Sequence, residues 1–465
     1  MGKRVKIWKD FTEWTTAHGV PHIGRSENKG LIVFWIIVTL AAFSLLAWQT
    51  VSLIIKYTNY EVIVGLELKF ERRPFPAVTV CDLNPYRKSV TMASQNIKRL
   101  MDAYDYQLAK ISAEQNFTVD TSMENDLQTL GLATLNDTVA LQAQVRDYLA
   151  MLVAKKPTSD RKKMSIQREQ FLRSCSFNTK DCSINAHFKE NLDPKLGMCF
   201  TFNFDLDFQF ETQRAGPLYG LRIILLTNTT EYLPISDMGG MKVVIHNQSE
   251  KVFPDTYGYN VEVGSATSMG ISYKDIIRLP KPYGPCVPDA KESTNFFYEG
   301  KLYSSEGCQR SCFQKRLVAK CRCEDPNFPE MEQERCDPFN STQQSCWYEF
   351  ITSNEINPES CNCQLPCEEG VYDVTVSSSE WPSAATTQIA DCTDSQEVCR
   401  DRYRNNGALI EVFFEQLNYQ LLEEKAAYEF VNLASDFGGQ IGLWLGLSVL
   451  SLLEFGVLIG SLCFA

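Results

Sequence analysis

Two long apolar runs frame this chain. Leu31 to Ile55 carries no charged residue, and Ile441 to Ala465 carries one, Glu454. A helix of either length reaches about 37 Å at ~1.5 Å per residue, enough to cross a hydrocarbon core with tilt. The first run is too long for a signal peptide, and no small-residue cleavage site follows it. In and just before the second, Gly438, Gly442 and Gly446 recur every fourth position, and Gly456 and Gly460 repeat the spacing. Such glycines let helix backbones approach closely in lipid. Gly446-Leu447-Ser448 sets a carbonyl without side-chain cover beside a hydroxyl, oxygens that a dehydrating ion can use. Glu454 is costly at such depth unless it faces water, protein or an ion path. The plainer reading is a helix-packing face with one charge near the inner membrane edge.

Between the runs the texture changes several times. Tyr60 to Leu68 alternates apolar and polar positions and predicts a strand, and Phe75 to Cys81 predicts a second. Residues 90–175 show helical spacing in KRLMDAYDYQLAKI and NDTVALQAQVRDYLAMLVA, a helical insertion expected to form an outer layer. Strand texture returns over 199–280, in CFTFNFDLDFQF, YGLRIILLT and MKVVIHN. Glu306 to Lys320 suits a helix whose cysteines fasten it to a later one, making a stiff rod. Leu409 to Leu422 predicts a final strand running to the second apolar run. Near the N-terminus, Ala17-His18-Gly19-Val20-Pro21-His22 is punctuated by Gly and Pro and predicts a turn.

Charge and cysteine usage orient this arrangement. Lys3, Arg4, Lys6, Lys9, Arg25 and Lys29 precede the first run, so the N-terminus is expected in the cytoplasm. Two crossings return the C-terminus there and leave about Lys56 to Phe437 outside. Sixteen of the 17 cysteines fall in that loop, an even number in an oxidising compartment. Ten lie between Cys286 and Cys367, where no histidine accompanies them, so disulfides are expected and zinc is not. Cys392 and Cys399 are expected to close one more small loop. Asn116, Asn136, Asn228, Asn247 and Asn340 head glycosylation sequons in the same loop. The total charge is −12, and the few charges outside the loop leave it at −14. An acidic exterior concentrates cations and argues against nucleic acid as a partner. No catalytic or cofactor motif is present: there is no GxSxG, HExxH, Walker loop or GxGxxG, so an enzyme is not expected. No cofactor and no metal site is expected.

These residues together resemble the degenerin / epithelial sodium channel / acid-sensing ion channel superfamily over nearly the whole chain. The resemblance rests on His18-Gly19, Phe75 to Cys81, Gly197 to Asn203, the cysteine block Cys286 to Cys367, Leu417 to Tyr419, and Asp436 to Ser448; the sequence before the pore is most like the degenerin branch. It implies an α+β membrane protein: two transmembrane helices flanking a large disulfide-rich extracellular domain shaped like a hand, assembled as a trimeric channel. The implied parts are a cytoplasmic N-terminus (1–30), first span (31–56), wrist and first palm strands (57–81), finger (82–198), palm and β-ball (199–285), thumb (286–375), knuckle and last palm strands (376–433), and pre-pore segment with second span (434–465). The family's bridges map onto Cys81–Cys199, Cys175–Cys182, Cys286–Cys367, Cys308–Cys363, Cys312–Cys361, Cys321–Cys346 and Cys323–Cys336, with Cys392–Cys399 outside the shared set. Gly446, Leu447 and Ser448 match the selectivity filter, with Glu454 as a pore carboxylate below it. His18-Gly19 matches the gating motif. Ser435, before Asp436, is where bulky residues hold degenerins open. Tyr283 stands where acid-sensing channels place a Trp against an aromatic above the first span, here Tyr57 or Tyr60.

The implied function is a subunit of a voltage-independent, sodium-selective, amiloride-sensitive plasma-membrane channel with both termini cytoplasmic. Gating would be mechanical, by an extracellular ligand, or constitutive. The partners implied are related subunits in a homo- or heterotrimer, membrane lipid, and an extracellular ligand or matrix; Na⁺ is the permeant ion and N-linked glycans the attached groups. The wrist reads YTNYEV and lacks the histidine of acid-sensing channels, so proton gating of that type does not carry over. The chain stops at Ala465 in apolar sequence, and a cytoplasmic tail is expected beyond it. Two other classes share the two-span plan: an ATP-receptor-type trimeric channel and a non-conducting adhesion receptor. The cysteine rod and DFGGQIGLW speak against the first, and the second leaves the intramembrane glycines and Glu454 with packing roles alone.

Overall fold

The computed structural model describes residues 3–71, 74–113, 118–293, 295–353, 358–389, 392 and 394–463. They form two compact units. One comprises the chain up to Gly65, Lys281–Gly284 and Glu423–Ala465; the other comprises Leu66–Pro280 and Pro285–Leu422.

Helices α1 (Lys3–Trp14), α2 (Val20–Arg25) and α3 (Lys29–Thr58) open the chain, then strands β1 (Val62–Lys69) and β2 (Ala77–Asp82). A helical stretch follows: α4 (Lys88–Thr91), α5 (Gln95–Ser112), α6 (Thr121–Thr129), α7 (Thr138–Ala154), α8 (Thr158–Met164) and α9 (Arg168–Phe171). Next come β3 (Leu172–Phe177), β4 (Lys180–Asp181), α10 (Ile184–His187), β5 (Phe188–Asp193), β6 (Gly197–Phe202), β7 (Leu221–Leu226), β8 (Gly240–His246), β9 (Tyr259–Glu262) and β10 (Ser265–Ile277). The cysteine-rich stretch supplies α11 (Ser305–Cys321) and α12 (Ser341–Thr352). The chain closes with β11 (Glu368–Glu380), α13 (Gln396–Asn406), β12 (Gly407–Phe414), β13 (Tyr419–Ala426), α14 (Phe430–Leu445) and α15 (Val449–Cys463).

One sheet has eight strands in the order β1-β13-β10-β12-β7-β3-β4, with β11 also on β10; the other has five, β5-β6-β2-β8-β9. β2 is buried along its whole length because β6 and β8 flank it and both of its faces are covered. Its sequence, AVTVCD, has the continuous apolar character of such a strand. Both sheets contribute to a core that includes Phe75, Phe171, Phe200, Ile223, Met269 and Ile410. β11 runs antiparallel to β10 over all of Ser265–Ile277, so β12 and β13 share the other edge of β10.

Two strand expectations change here. Leu409–Leu422 is not one strand: the chain leaves the ladder after Phe414, where Glu415 N–H reaches Ile271 O at 3.0 Å, and resumes at Tyr419. The strand expected from Cys199 ends at Phe202, because Asn203 turns into the left-handed region (φ 55°) and its side chain holds the backbone of Phe75 and Phe210.

The helical insertion is more than an outer layer. Ile97, Leu100 and Tyr104 of α5 sit on one face at helical spacing and are buried with Leu127, Leu141 and Tyr148. The same core takes in Leu317 of α11 and Trp347 of α12. Asp137 starts α7 by accepting Ala140 N–H at 2.7 Å.

The structure bonds the seven sulfur pairs that the resemblance implies, and also Cys392–Cys399, which was expected from its spacing alone. Their layout corrects the simple rod. Cys321–Cys346 ties α11 to α12, whereas Cys308–Cys363 and Cys312–Cys361 tie α11 to the short turn at Pro358–Cys361 and the residues after it.

Candidate functional site

The smaller unit holds the two apolar helices. Asn28 caps α3 by accepting Gly30 N–H at 2.9 Å. α14 packs along α3, and toward the C-terminal end of the first apolar run and the N-terminal end of the second Trp444 Nε1 donates to Gln49 Oε1 at 2.7 Å. The second run is not the continuous helix its hydropathy predicts. α14 and α15 meet at 68°, and the break is Gly446-Leu447-Ser448. Each end residue suits its place. Gly446 closes α14 in the left-handed conformation (φ 62°, ψ 20°), its N–H bonded to Gly442 O at 3.0 Å. Ser448 opens α15: its Oγ accepts Ser451 N–H at 3.4 Å while Ser451 Oγ accepts Ser448 N–H at 3.1 Å, a reciprocal cap. Glycine after a helix and serine before the next was the readable signal for a break. Among the described residues, neither the Gly446 nor the Leu447 carbonyl accepts a backbone hydrogen bond.

The N-terminal segment packs against this break, which local sequence did not announce. The turn between α1 and α2 sends His18 N–H to Leu445 O at 2.8 Å. A Cβ on Gly446 would stand 2.4 Å from the His18 ring, so the ring fills the place of the missing side chain. Gly19 has φ 85°, and a Cβ there would lie 2.2 Å from Thr39 Oγ1 on α3. Both halves of His18-Gly19 therefore sit against the apolar helices. One oxygen of Glu454, Oε2, accepts Thr16 N–H at 2.9 Å, Thr15 Oγ1–H at 3.1 Å and Thr16 Oγ1–H at 3.2 Å. The carboxylate thus has protein donors, one of the three conditions that make a charge tolerable in an apolar span. Thr16 Oγ1 also lies 2.7 Å from Ser451 Oγ, so hydroxyls connect the cap of α15 to Glu454. Phe11, 3% exposed, packs on Phe455 with ring centroids 5.3 Å apart. His22 stacks on Trp35 at 4.3 Å. Thr15, Thr16, Ser451 and Gln49 carry no motif, and only the His-Gly pair hinted at this contact.

The other sequence candidates fall around the site. Ser435 is exposed and lies well inside α14, whose first flanking residue is Glu429, so it caps no helix. Beside it Asp436 Oδ2 accepts the Tyr428 hydroxyl at 2.6 Å, and Lys56 Nζ sits 4.4 Å from the Tyr428 ring centroid. Of the two wrist candidates, Tyr60 meets Tyr283 edge-on at 5.4 Å, and Tyr57 meets Tyr60 at 6.0 Å but no other ring among the described residues. Cys463 is a free, exposed thiol. In the larger unit Asn136, Asn228 and Asn340 are exposed and Asn247 is half-buried; Asn116 lies outside the described residues. Asn228, Asn247 and Asn340 each hold a nearby backbone N–H through Oδ1, leaving Nδ2, the atom a glycan takes, without a hydrogen bond among the described residues. No group of three metal-ligating side chains occurs among the described residues.

The family model of the amiloride-sensitive sodium channel matches residues 11–458. Degenerin deg-1 of Caenorhabditis elegans is 42% identical over 356 residues, covering 75% of this chain and 46% of its own length. Degenerin mec-4 of Caenorhabditis briggsae is 39% identical over 341 residues, covering 72% of this chain and 44% of its own. Degenerin mec-10 of Caenorhabditis elegans is 27% identical over 597 aligned positions, covering 96% of this chain and 82% of its own. The chain spans less than half the length of the first two relatives. The chain belongs to the amiloride-sensitive sodium channel family, within the degenerin and epithelial sodium channel superfamily that its sequence resembles.

Proposed function

We propose that this chain is one subunit of a trimeric, sodium-selective, amiloride-sensitive channel of the plasma membrane. α3 would be the first span, α14 and α15 together a broken second span, and both termini would be cytoplasmic. The observation that carries this reading is the break at Gly446-Leu447-Ser448. It interrupts an apolar helix at a glycine and leaves two neighbouring carbonyls without backbone partners. Irregular backbone at membrane depth is tolerated where protein buries it or where it lines an aqueous path. Three copies around an axis would turn those carbonyls into rings of oxygen able to replace part of an ion's hydration shell.

Trimer formation is supported by Gly438, Gly439, Gly456 and Gly460, which face open space in the single chain. Close approach of another subunit's helix would use those gaps. The Ser448 hydroxyl is engaged in capping α15, so in this reading Ser448 shapes the filter as much as it lines it. Glu454 would then act by anchoring the N-terminal segment through Thr15 and Thr16.

The test is electrophysiological. The chain is expressed alone and together with a full-length degenerin, and reversal potentials are measured while external Na⁺ is exchanged for K⁺. Wild type should carry an amiloride-blocked Na⁺ current, and Ser448→Leu should move the reversal potential by widening or collapsing the filter. A conducting Ser448→Leu channel with an unchanged reversal potential would remove the filter from these residues.

A further inference from the structure

The larger unit contains a cavity of about 540 Å³ that the channel reading does not use. Its walls come from distant parts of the chain: the end of β2, α9 with the start of β3, the end of β7, and α13. That volume lies within the range that holds small organic ligands. The 227–229 loop at its edge is fixed: Asn406 Oδ1 accepts Thr229 N–H at 3.1 Å and the Thr229 hydroxyl at 2.9 Å. The floor is fixed as well. Asp82, buried, accepts the hydroxyls of Thr227 and Tyr232 at 2.5 and 2.6 Å, and Asn84 Oδ1 accepts Leu233 N–H at 3.0 Å.

The charged groups of the lining are unequally partnered: Asp82 is held by hydroxyls, and the arginines differ. Arg402 is paired with Asp394 at 2.5 Å. Arg87 has Glu231 as an electrostatic neighbour. Arg173 has neither: it makes one hydrogen bond, to Glu169 O at 3.2 Å, and no ion pair with a described residue. Arg87 also donates to Lys163 O at 2.5 Å, and the Nε atoms of Arg87 and Arg173 are both shut from solvent without an acceptor, so each guanidinium has one donor to spare. Beside them Ile166 and Leu226 supply an apolar wall, and Gln170 is exposed.

We propose that this cavity binds a small organic monocarboxylate, with Arg173 as its anchor, Arg87 as a second donor, and the aliphatic body of the ligand against Ile166 and Leu226. A planar guanidinium matches a carboxylate with two parallel N–H donors, and such charge-assisted pairs are strong where solvent is partly excluded. Asp82 is already held by hydroxyls, whereas Arg173 lacks a carboxylate partner among the described residues, and one ligand carboxylate would supply it. Asp82 and Glu231 in the same walls repel any anion, and a dianionic phosphate about twice as strongly as a monocarboxylate.

The test uses the full chain, purified in detergent, and ligand-observed NMR titrations with butyrate, butyramide and inorganic phosphate. Butyrate should bind, and butyramide and phosphate should not. Arg173→Gln should weaken butyrate at least about tenfold, the loss expected for one charge-assisted contact. Arg173→Lys should lose less, and Arg222→Gln, whose arginine pairs with Glu411 elsewhere, should bind as wild type does. Partition into micelles is equal for all variants and subtracts out. Unchanged unfolding midpoints would show that Arg173→Gln folds; if it does not, the Arg173→Lys comparison carries the test. No butyrate binding by wild type, equal binding of butyramide, stronger binding of phosphate, or butyrate binding indifferent to both Arg173 variants would each overturn the proposal.

Discussion

Gly446 and His18 form a contact that neither residue can make alone. An alanine at 446 would hold a left-handed conformation at a cost of roughly 1–2 kcal/mol and place its Cβ 2.4 Å from the imidazole. Gly446→Ala should therefore lower the unfolding midpoint of the purified chain. Adding His18→Ala should restore part of the loss, because the second change removes the clash and leaves only the backbone strain. Strictly additive losses would show that the ring does not occupy that space in solution. His246 offers a residue-level test in the larger unit. Its Nδ1 faces Asn247 O at 2.8 Å and must donate there, so Nε2 accepts from the Thr79 hydroxyl at 2.8 Å. Burial lowers its pKa to about 4 from 6.5. The folded state then binds fewer protons than the unfolded chain between those values, so stability rises with pH across that window and is lost as pH falls through it. The loss is on the order of 3 kcal/mol, taking about 1.4 kcal/mol per pKa unit. Wild type minus His246→Gln, followed by unfolding midpoint from pH 7 to 4, should show that loss. A difference independent of pH would mean that His246 is not held neutral.

At the scale of elements, what the sequence made legible was local and what it hid was long-range. The helices α5, α7 and α11 announce themselves by the spacing of Ile97, Leu100 and Tyr104, or of Cys308 and Cys312, because a helical face is written within a few turns. Hydropathy missed the break between α14 and α15, because it averages over a window in which Gly446 and Ser448 weigh little, although their identities carried the signal. The seating of α1 against α15 was hidden because Thr15, Thr16 and Glu454 meet across more than 430 residues. The split between β12 and β13 follows from the geometry of β10, whose single free edge both strands share. The two bridges from α11 to the residues around Pro358–Cys361 are likewise redundant by geometry. Cys308 and Cys312 lie one turn apart on α11, and their partners Cys363 and Cys361 lie two residues apart. With Cys312–Cys361 intact, losing Cys308–Cys363 opens little extra chain freedom. The loss should cost at or below the low end of the usual ~2–4 kcal/mol. Cys308→Ser, Cys363→Ser and the double variant should unfold at the same temperature in non-reducing conditions. A double variant clearly less stable than either single one would show that the two sulfurs act separately.

At the scale of the whole molecule, the open question is what closes the proposed pore. Ser435 is exposed in the single chain, on α14 upstream of the break. In a trimer built about the α14 helices, three copies of Ser435 would converge where the helices cross, and a small side chain is what such a crossing needs. A larger residue would clash in the closed arrangement and be tolerated in the open one, and it is this difference between states that shifts a population. A closed-state penalty of roughly 3 kcal/mol raises the open-to-closed ratio by about two decades. Helix propensity cannot imitate this. Serine, valine and phenylalanine are close to one another in a helix interior, and alanine is better than all three by less than about 0.7 kcal/mol. Capping cannot imitate it either, since Ser435 starts no helix. Ser435→Ala should therefore give near-normal basal current, while Ser435→Val and Ser435→Phe should give large standing Na⁺ currents blocked by amiloride and toxic to the cell. The measurement is basal current normalised to surface protein, with the chain expressed alone and with a longer degenerin supplying the other subunits. If Ser435 faces lipid, or if the subunits do not cross at this level, valine will reach the surface and leave the basal current unchanged, and the gate must then be sought elsewhere along α14.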